Sequence, residues 1–260
     1  MPAWSVSVNA MDRLRDEQVF HNLQARDRAE TFVRHPEALC FLDDDYLKHE
    51  TWIRPAIGEL GCLQSQAILD YGCGHGMASV VLARRGAHVT AFDLSLGYLE
   101  EARTRARANG VSVKFVSADG ERLPFADSSF DRLWGNAILH HVDLRLAARE
   151  LWRVLRPGGW GVFCEPWGEN ALLNWARNRL PYPGKQHTAG ERPLRRFDLL
   201  SLRAAFAGVH VKGFQFLAMA RRILPHSRLL TGLERCDAHL LRRLPGLERY
   251  CRYVVLTVRK

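Results

Sequence analysis

Residues 68–95 read ILDYGCGHGMASVVLARRGAHVTAFDLS, and their interpretation decides the fold. Ile68 and Leu69 end a short apolar strand. Asp70-Tyr71-Gly72-Cys73-Gly74-His75-Gly76 follows, with glycines at alternate positions. Met77 to Arg85 is spaced as an amphipathic helix that Gly86 stops. A second apolar strand, Ala87 to Phe92, then ends on Asp93. Strand, glycine loop, helix, strand and acid, in that order, open a doubly wound sheet that binds an adenosine-containing ligand. Glycines let a ligand approach where a Cβ would clash. The helix behind them turns free N–H groups and a partial positive charge toward the ligand's anionic end. Asp93, at the tip of the second strand, is placed to accept hydrogen bonds from ribose hydroxyls.

The glycine spacing narrows the ligand. A nicotinamide fingerprint places its third glycine three residues after the second, and Met77 stands there instead. A dehydrogenase is therefore a poor reading. The loop resembles motif I of the class I S-adenosylmethionine-dependent methyltransferases, acid-x-Gly-x-Gly-x-Gly. Further matches follow in order. Gly97 to Asn109 reads as a helix stopped by Asn109-Gly110, and Val111 to Ser117 as strand three. Ala118-Asp119-Gly120 resembles the motif whose Asp meets the adenine amine. Ser129 to Gly135 reads as strand four. ELWRVLRPGG, residues 150–159, resembles the family's helix and proline-glycine turn, and Trp160 to Glu165 is strand five.

The resemblance is to the type 11 group, which includes ubiquinone- and menaquinone-biosynthesis methyltransferases, and it covers residues 67–165 firmly. It implies an α/β, Rossmann-like sheet of seven mostly parallel strands, order 3-2-1-4-5-7-6, with the last strand antiparallel and helices on both faces. It implies S-adenosyl-L-methionine as cofactor, touched by Asp70, Gly72, Cys73, Gly74, Gly76, Asp93, Leu94, Asp119, Gly120 and Asn136. The activity implied is in-line methyl transfer to O, N, S or C of a small molecule, lipophilic or aromatic among the choices. An RNA or protein methyltransferase and a non-catalytic donor-binding regulator remain alternatives. Trp-Gly-Asn-Ala at 134–137 argues against the nucleic-acid adenine methyltransferases.

Candidates for a general base are His141, His140, Glu165 and then His49. Substrate contacts are expected from Tyr46 and His49, on a helix read over 46–60, from Trp167 at the mouth of strand five, and from Tyr182 in an insertion. Residues 1–60 read as an N-terminal arm, expected as one loose helix over residues 1–35, and a helical cap. Residues 61–260 read as the methyltransferase domain, with insertions near 170–196 and 220–248. Phe197 to Phe206 reads as a helix, Val209 to Met219 as strand six and Tyr250 to Arg259 as the last strand. Leu229, Leu233, Cys236, Leu240 and Leu244 recur at helical spacing among arginines. That pattern is either a packed helix or a basic element touching a membrane or lipid-like substrate.

Composition sets the outer bounds. The chain has 260 residues, 47% of them hydrophobic, which suits one α/β domain with additions. No stretch approaches the roughly 20 apolar residues of a membrane span. No secretory signal is visible, so the expected compartment is the cytoplasm. Net charge is +9, and of 37 basic residues five are Lys. Such an Arg bias permits contact with anionic surfaces but is weak support for nucleic acid. The six cysteines form no CxxC pair and are expected as thiols. His140-His141 lacks a third ligand at metal-like spacing, so no metal is expected.

Overall fold

Alternate residues of each central strand face opposite layers, and the sequence supplies an apolar residue to both. Ile68, Trp134 and Val162 enter one core, while Leu69, Leu133 and Phe163 enter the other. Strands apolar on both faces belong in the middle of a parallel sheet covered by helices on each side. The computed structural model, which describes residues 10–179, 192–222 and 228–260, has that architecture.

The elements run α1 (Ala10–Arg34), α2 (Asp43–Leu47), α3 (Ile53–Glu59), β1 (Ala67–Tyr71), α4 (Met77–Arg84), β2 (His88–Asp93), α5 (Leu96–Ala108) and β3 (Lys114–Ser117). They continue with β4 (Phe130–Asn136), α6 (Leu144–Val154), β5 (Leu155–Pro166), α7 (Ala171–Arg179), α8 (Leu200–Ala205), β6 (Gly208–Phe214), α9 (Arg228–Arg243) and β7 (Tyr253–Arg259). The sheet order is β3-β2-β1-β4-β5-β7-β6, with β7 antiparallel to both neighbours and the other pairings parallel. The expected seven-stranded order is the observed one. The chain reverses direction across the sheet between β1 and β4, which opens a crevice at their carboxyl ends.

Helix α6 shows how the layers are held. Leu144, Ala147, Ala148, Leu151 and Val154 are buried at helical spacing. Asp143 caps the helix by accepting from the N–H groups of Arg145 and Leu146. Burying a side chain such as Leu151 contributes about 1.5–3 kcal/mol, and losing the cap would cost about 1 kcal/mol.

Four sequence expectations change. The helix expected over 46–60 is two helices, α2 and α3. A single helix would set Pro55 in its interior, where the ring meets the carbonyl four residues back. The break places Pro55 in the first turn of α3 instead. The Arg156-Pro157-Gly158-Gly159 turn lies inside β5 as a bulge, between the pairs Phe130–Leu155 and Arg132–Trp160. In α9 the buried face is one residue out of register with the leucine stripe. Leu230 is 2% exposed and Leu229 63%, while Cys236 and Leu244 are also exposed. The reason is polar. The buried Asp237 carboxylate accepts N–H bonds from Phe216, Leu217 and Ala218, which fixes α9 against the chain leaving β6. That same contact ends β6 at Phe214, short of the Met219 expected. No described helix is long and apolar enough to cross a membrane.

The N-terminal segment is the helix expected of it, but it is docked and not loose. α1 is a 25-residue helix laid along α5. Ala25 sits against Gly97 so closely that a Cβ on Gly97 would come within 2.9 Å of it. Asn22 Oδ1 accepts from the Ser95 hydroxyl and the Gly97 N–H. Arg28 and Arg105 both donate to the Glu101 carboxylate. The helix docks through polar pairs, so its sequence lacks an apolar stripe to announce it.

Candidate functional site

The crevice beyond β1 and β4 is a pocket of about 330 Å³. Its floor is the glycine loop. Cys73 N–H donates to Phe92 O, and Gly74 N–H donates to Asp93 Oδ2 at 2.8 Å, so the loop is tied to the end of β2. Asp93 Oδ1 accepts from Ser95 N–H at 2.9 Å. Burial raises the Asp93 carboxyl above its usual range, against the pull of those backbone bonds. Gly74 has φ +49° and an added Cβ would meet open space, so the bare backbone there forms the cradle. Gly76, with φ +82°, packs so closely on α5 that a Cβ would lie 2.7 Å from the Cβ of Ala102.

The far wall comes from the loop after β3. Tyr71 is fully buried, and its hydroxyl donates to Gly120 O at 2.7 Å. Asp119 closes its own turn by accepting from Glu121 N–H at 2.9 Å, and it lines the pocket with Gly120. The end of β4 supplies Asn136, whose Oδ1 is buried without a hydrogen-bond partner. His75 Nδ1 is a second such atom. Burial, and then the charge of Arg28, pull His75 down to about 4, so it is neutral near pH 7. Two orphaned polar atoms, one from the floor and one from the end of β4, mark positions where a polar ligand would complete the hydrogen bonding.

The roof is α1, which places Leu14, Glu17 and His21 over the loop. Sequence reasoning missed all three, and Tyr98 and His75 as well. Gln18 ties the roof down by donating to Leu94 O at 3.0 Å. Arg13 donates to His141 O and to Glu121. Beyond the roof lies a second cleft of about 650 Å³, between α1, α6 and residues 192–201. Glu17, His141 and Val142 line both spaces and form the seam between them.

The expected site residues divide sharply. Gly72, Gly74, Asp93, Leu94, Asp119, Gly120 and Asn136 line the pocket. Asp70, Cys73 and Gly76 are not among its lining residues. Asp70 lies under the loop and accepts from the Ser79 hydroxyl. Burial raises its carboxyl to about 7, with the charge of Asp93 adding to the effect. His141 is on the seam and His140 lines the outer cleft only. Glu165, expected at the mouth of β5, is fully buried beneath both. It accepts from the N–H groups of Ile138 and Leu139 and meets His140 Nδ1 at 2.7 Å. Its geometry is that of a clamp on the turn that presents His141. Trp167 is also fully buried and packs in the core. Tyr46 is buried and His49 exposed, and neither lines the pocket or the cleft. Tyr182 lies outside the described residues.

Comparison with known proteins agrees with this geometry over its central part. Residues 69–163 match a family described as a methyltransferase domain. The methyltransferase GfsG of Streptomyces halstedii is 46% identical over 96 residues, which are 35% of this chain and 34% of that one. The demethylmenaquinone methyltransferase of Clavibacter sepedonicus is 46% identical over 101 residues, 38% of this chain and 41% of that one. The chain thus spans well under half the length of these relatives. Among solved structures, the [4+2]-cyclase SpnF superposes with a TM-score of 0.53 at 25% identity, covering 80% of each chain. Strand order, glycine loop and matched segment coincide, and residues 69–163 of this chain are a class I methyltransferase domain of type 11.

Proposed function

We propose that the chain binds S-adenosylmethionine in the pocket beneath α1 and methylates a small-molecule acceptor held in the outer cleft. The observation that carries this reading is the seam: Glu17 and His141 line both spaces, so a ligand in each would meet there. The pocket suits the donor. Gly74, Asp93 and Asp119 stand at or just after the carboxyl ends of the adjacent strands β1, β2 and β3 and line it together, and His75 Nδ1 and Asn136 Oδ1 await partners. Bound there, the donor would supply an electrophilic methyl group for in-line displacement.

What the chain itself contributes is alignment and a dry, shaped seam. Alignment of reacting groups is worth about 7–11 kcal/mol in favourable cases. α1 excludes water from above the loop, and Glu165 fixes the Leu139–His141 turn from beneath. Of the four sequence candidates for handling the acceptor's proton, His141 alone stands on the seam, with Glu17 Oε1 at 3.2 Å from its Nδ1. Fold alone does not fix the reaction, as the cyclase neighbour shows.

The test uses methyl-labelled donor with a panel of phenols, carboxylic acids and amines. Label should reach an acceptor. His141→Gln should slow a protonated acceptor's reaction by about 10²–10⁴-fold, with donor affinity unchanged. Donor binding without transfer to any acceptor in a broad metabolite extract would instead support a regulatory or non-methylating role.

A further inference from the structure

We propose that Glu17, His21 and His141 form a binding site for one first-row divalent transition-metal ion on the seam between the pocket and the outer cleft. One carboxylate oxygen and two imidazole nitrogens converge there, with all ligand atoms within 4.8 Å of one another. Glu17 Oε1 is 3.2 Å from His141 Nδ1, and Glu17 Oε2 is 3.3 Å from His21 Nε2. Ligands bonded at about 2.1 Å to a tetrahedral ion stand about 3.4 Å apart. Each histidine nitrogen thus stands at a ligand-like distance from one oxygen of the Glu17 carboxylate, and one atom from each of the three residues lies within 4.8 Å of the other two.

The hydrogen bonding around His21 argues for a cation at this point. Its Nδ1 lies 3.3 Å from Gln24 Oε1, which also accepts from the Tyr98 hydroxyl at 2.7 Å. A carboxamide oxygen only accepts, so Nδ1 carries the hydrogen. In the neutral ring Nε2 then presents a lone pair to the Glu17 carboxylate, which also only accepts. Something positive must lie between them, a proton or a metal ion. Gln24 thereby fixes the tautomer in which Nε2 is free to ligate, the usual outer-shell arrangement for a metal-bound histidine.

The donor set selects the metal. Two imidazoles and one carboxylate suit zinc, iron, cobalt, nickel or manganese better than magnesium or calcium, which prefer all-oxygen shells. Three protein ligands leave a position for another oxygen, as in catalytic metal sites. All three residues line the pocket, and Glu17 and His141 line the outer cleft as well, so an acceptor held in the cleft would supply that oxygen. The acceptor class that fits is one offering an anionic oxygen, such as a phenolate, an enolate or a carboxylate. This assignment of class rests on the methyl-transfer reading, and in it His141 acts as a ligand in place of a base. The sequence expectation of no metal weighed only His140-His141. The fold brings Glu17 and His21, one helical turn apart on α1, to His141 from more than a hundred residues away.

The experiment is titration of the metal-free full chain with Co²⁺, with the exposed thiols of Cys40, Cys62 and Cys236 alkylated beforehand. One Co²⁺ per chain with visible d–d bands is expected. His21→Ala and Glu17→Gln should each weaken binding at least 30-fold. Circular dichroism verifies that each variant is folded, and His21→Gln serves where His21→Ala is not. The absence of a one-to-one Co²⁺ complex in the wild type, or equal affinity in the folded variants, would overturn the site and leave a proton between Glu17 and His21. S-adenosylhomocysteine is titrated into the same metal-free protein. If it binds while Co²⁺ does not, only the metal site fails. If it does not bind, the donor reading fails on its own.

Discussion

The floor and the roof of the pocket are built by opposite means. The floor is backbone: a loop between β1 and α4, with carbonyl and amide groups exchanged at short range and one carboxylate, Asp93, holding two amides. The roof is side chains: α1 lies on α5 through Asn22, Arg28 and Glu101, and it reaches across the sheet through Arg13. A backbone device needs particular residues at particular spacing, because only glycine gives the cradle its open face. A polar docked helix can be specified in many ways. The lesson is that the floor of the pocket is local in sequence and its roof is not.

The largest effect should come from removing the clamp beneath the Leu139–His141 turn, a carboxylate that holds two backbone amides as Asp93 does in the floor. Glu165→Ala leaves two buried amides and His140 without their partner, and we expect a loss of about 3–5 kcal/mol in urea unfolding. Glu165→Gln, which keeps an acceptor, should lose clearly less. Equal losses would mean that charge and hydrogen bonding do not matter at this position.

Acidity separates two groups of the floor itself. His75 is held down at about 4 by burial, so between 6.5 and 4 the unfolded chain takes up a proton that the native chain does not. Its contribution makes stability rise with pH over that window and is flat above it. Asp70 is held up at about 7, so between 3.8 and 7 the native chain carries the extra proton. Its contribution makes stability fall as pH rises over that window. The two oppose each other, and the wild type should vary little between pH 5 and 6.5. Asp70→Asn should then gain roughly 2 kcal/mol on going from pH 5 to 7, and His75→Asn should lose roughly 2 kcal/mol over the same step. Parallel pH profiles for both variants would contradict the assignment.

The roof should yield with the smallest effect. Asn22→Ala removes an acceptor shared by Ser95 and Gly97, and about 1 kcal/mol is expected. The response should be local, with hydrogen exchange in α1 accelerating while β1 and β4 stay protected. Exchange rising equally in the sheet would mean that α1 is part of the core and not a roof laid upon it.

These differences explain what the sequence disclosed. The glycine loop and the places of Asp93 and Asp119 at strand ends were legible because each belongs to a fixed local pattern, and the strand order came with the family resemblance that those patterns carry. The docking of helix α1 was not, because its partners Ser95, Gly97 and Glu101 lie some seventy residues on and leave no apolar period. Tyr46 and Trp167 looked like substrate contacts because large aromatic residues near strand ends suit either a core or a pocket, and burial decides between them. Pro55 is the residue that could have shown the break between α2 and α3, and the reading of one helix over 46–60 did not use it. The leucine stripe of α9 was read one residue out of place because Asp237, a charged residue, belongs to its buried face.

The central claim is that the pocket under α1 is built for a sulfonium nucleoside. Calorimetric titration of the full chain with S-adenosylhomocysteine, with NAD as the comparison, tests it most directly. One molecule of S-adenosylhomocysteine should bind per chain, Asp93→Ala should weaken it about 10- to 100-fold, and NAD should give no heat. Binding of NAD with none of S-adenosylhomocysteine, or an unchanged affinity in Asp93→Ala, would contradict the account.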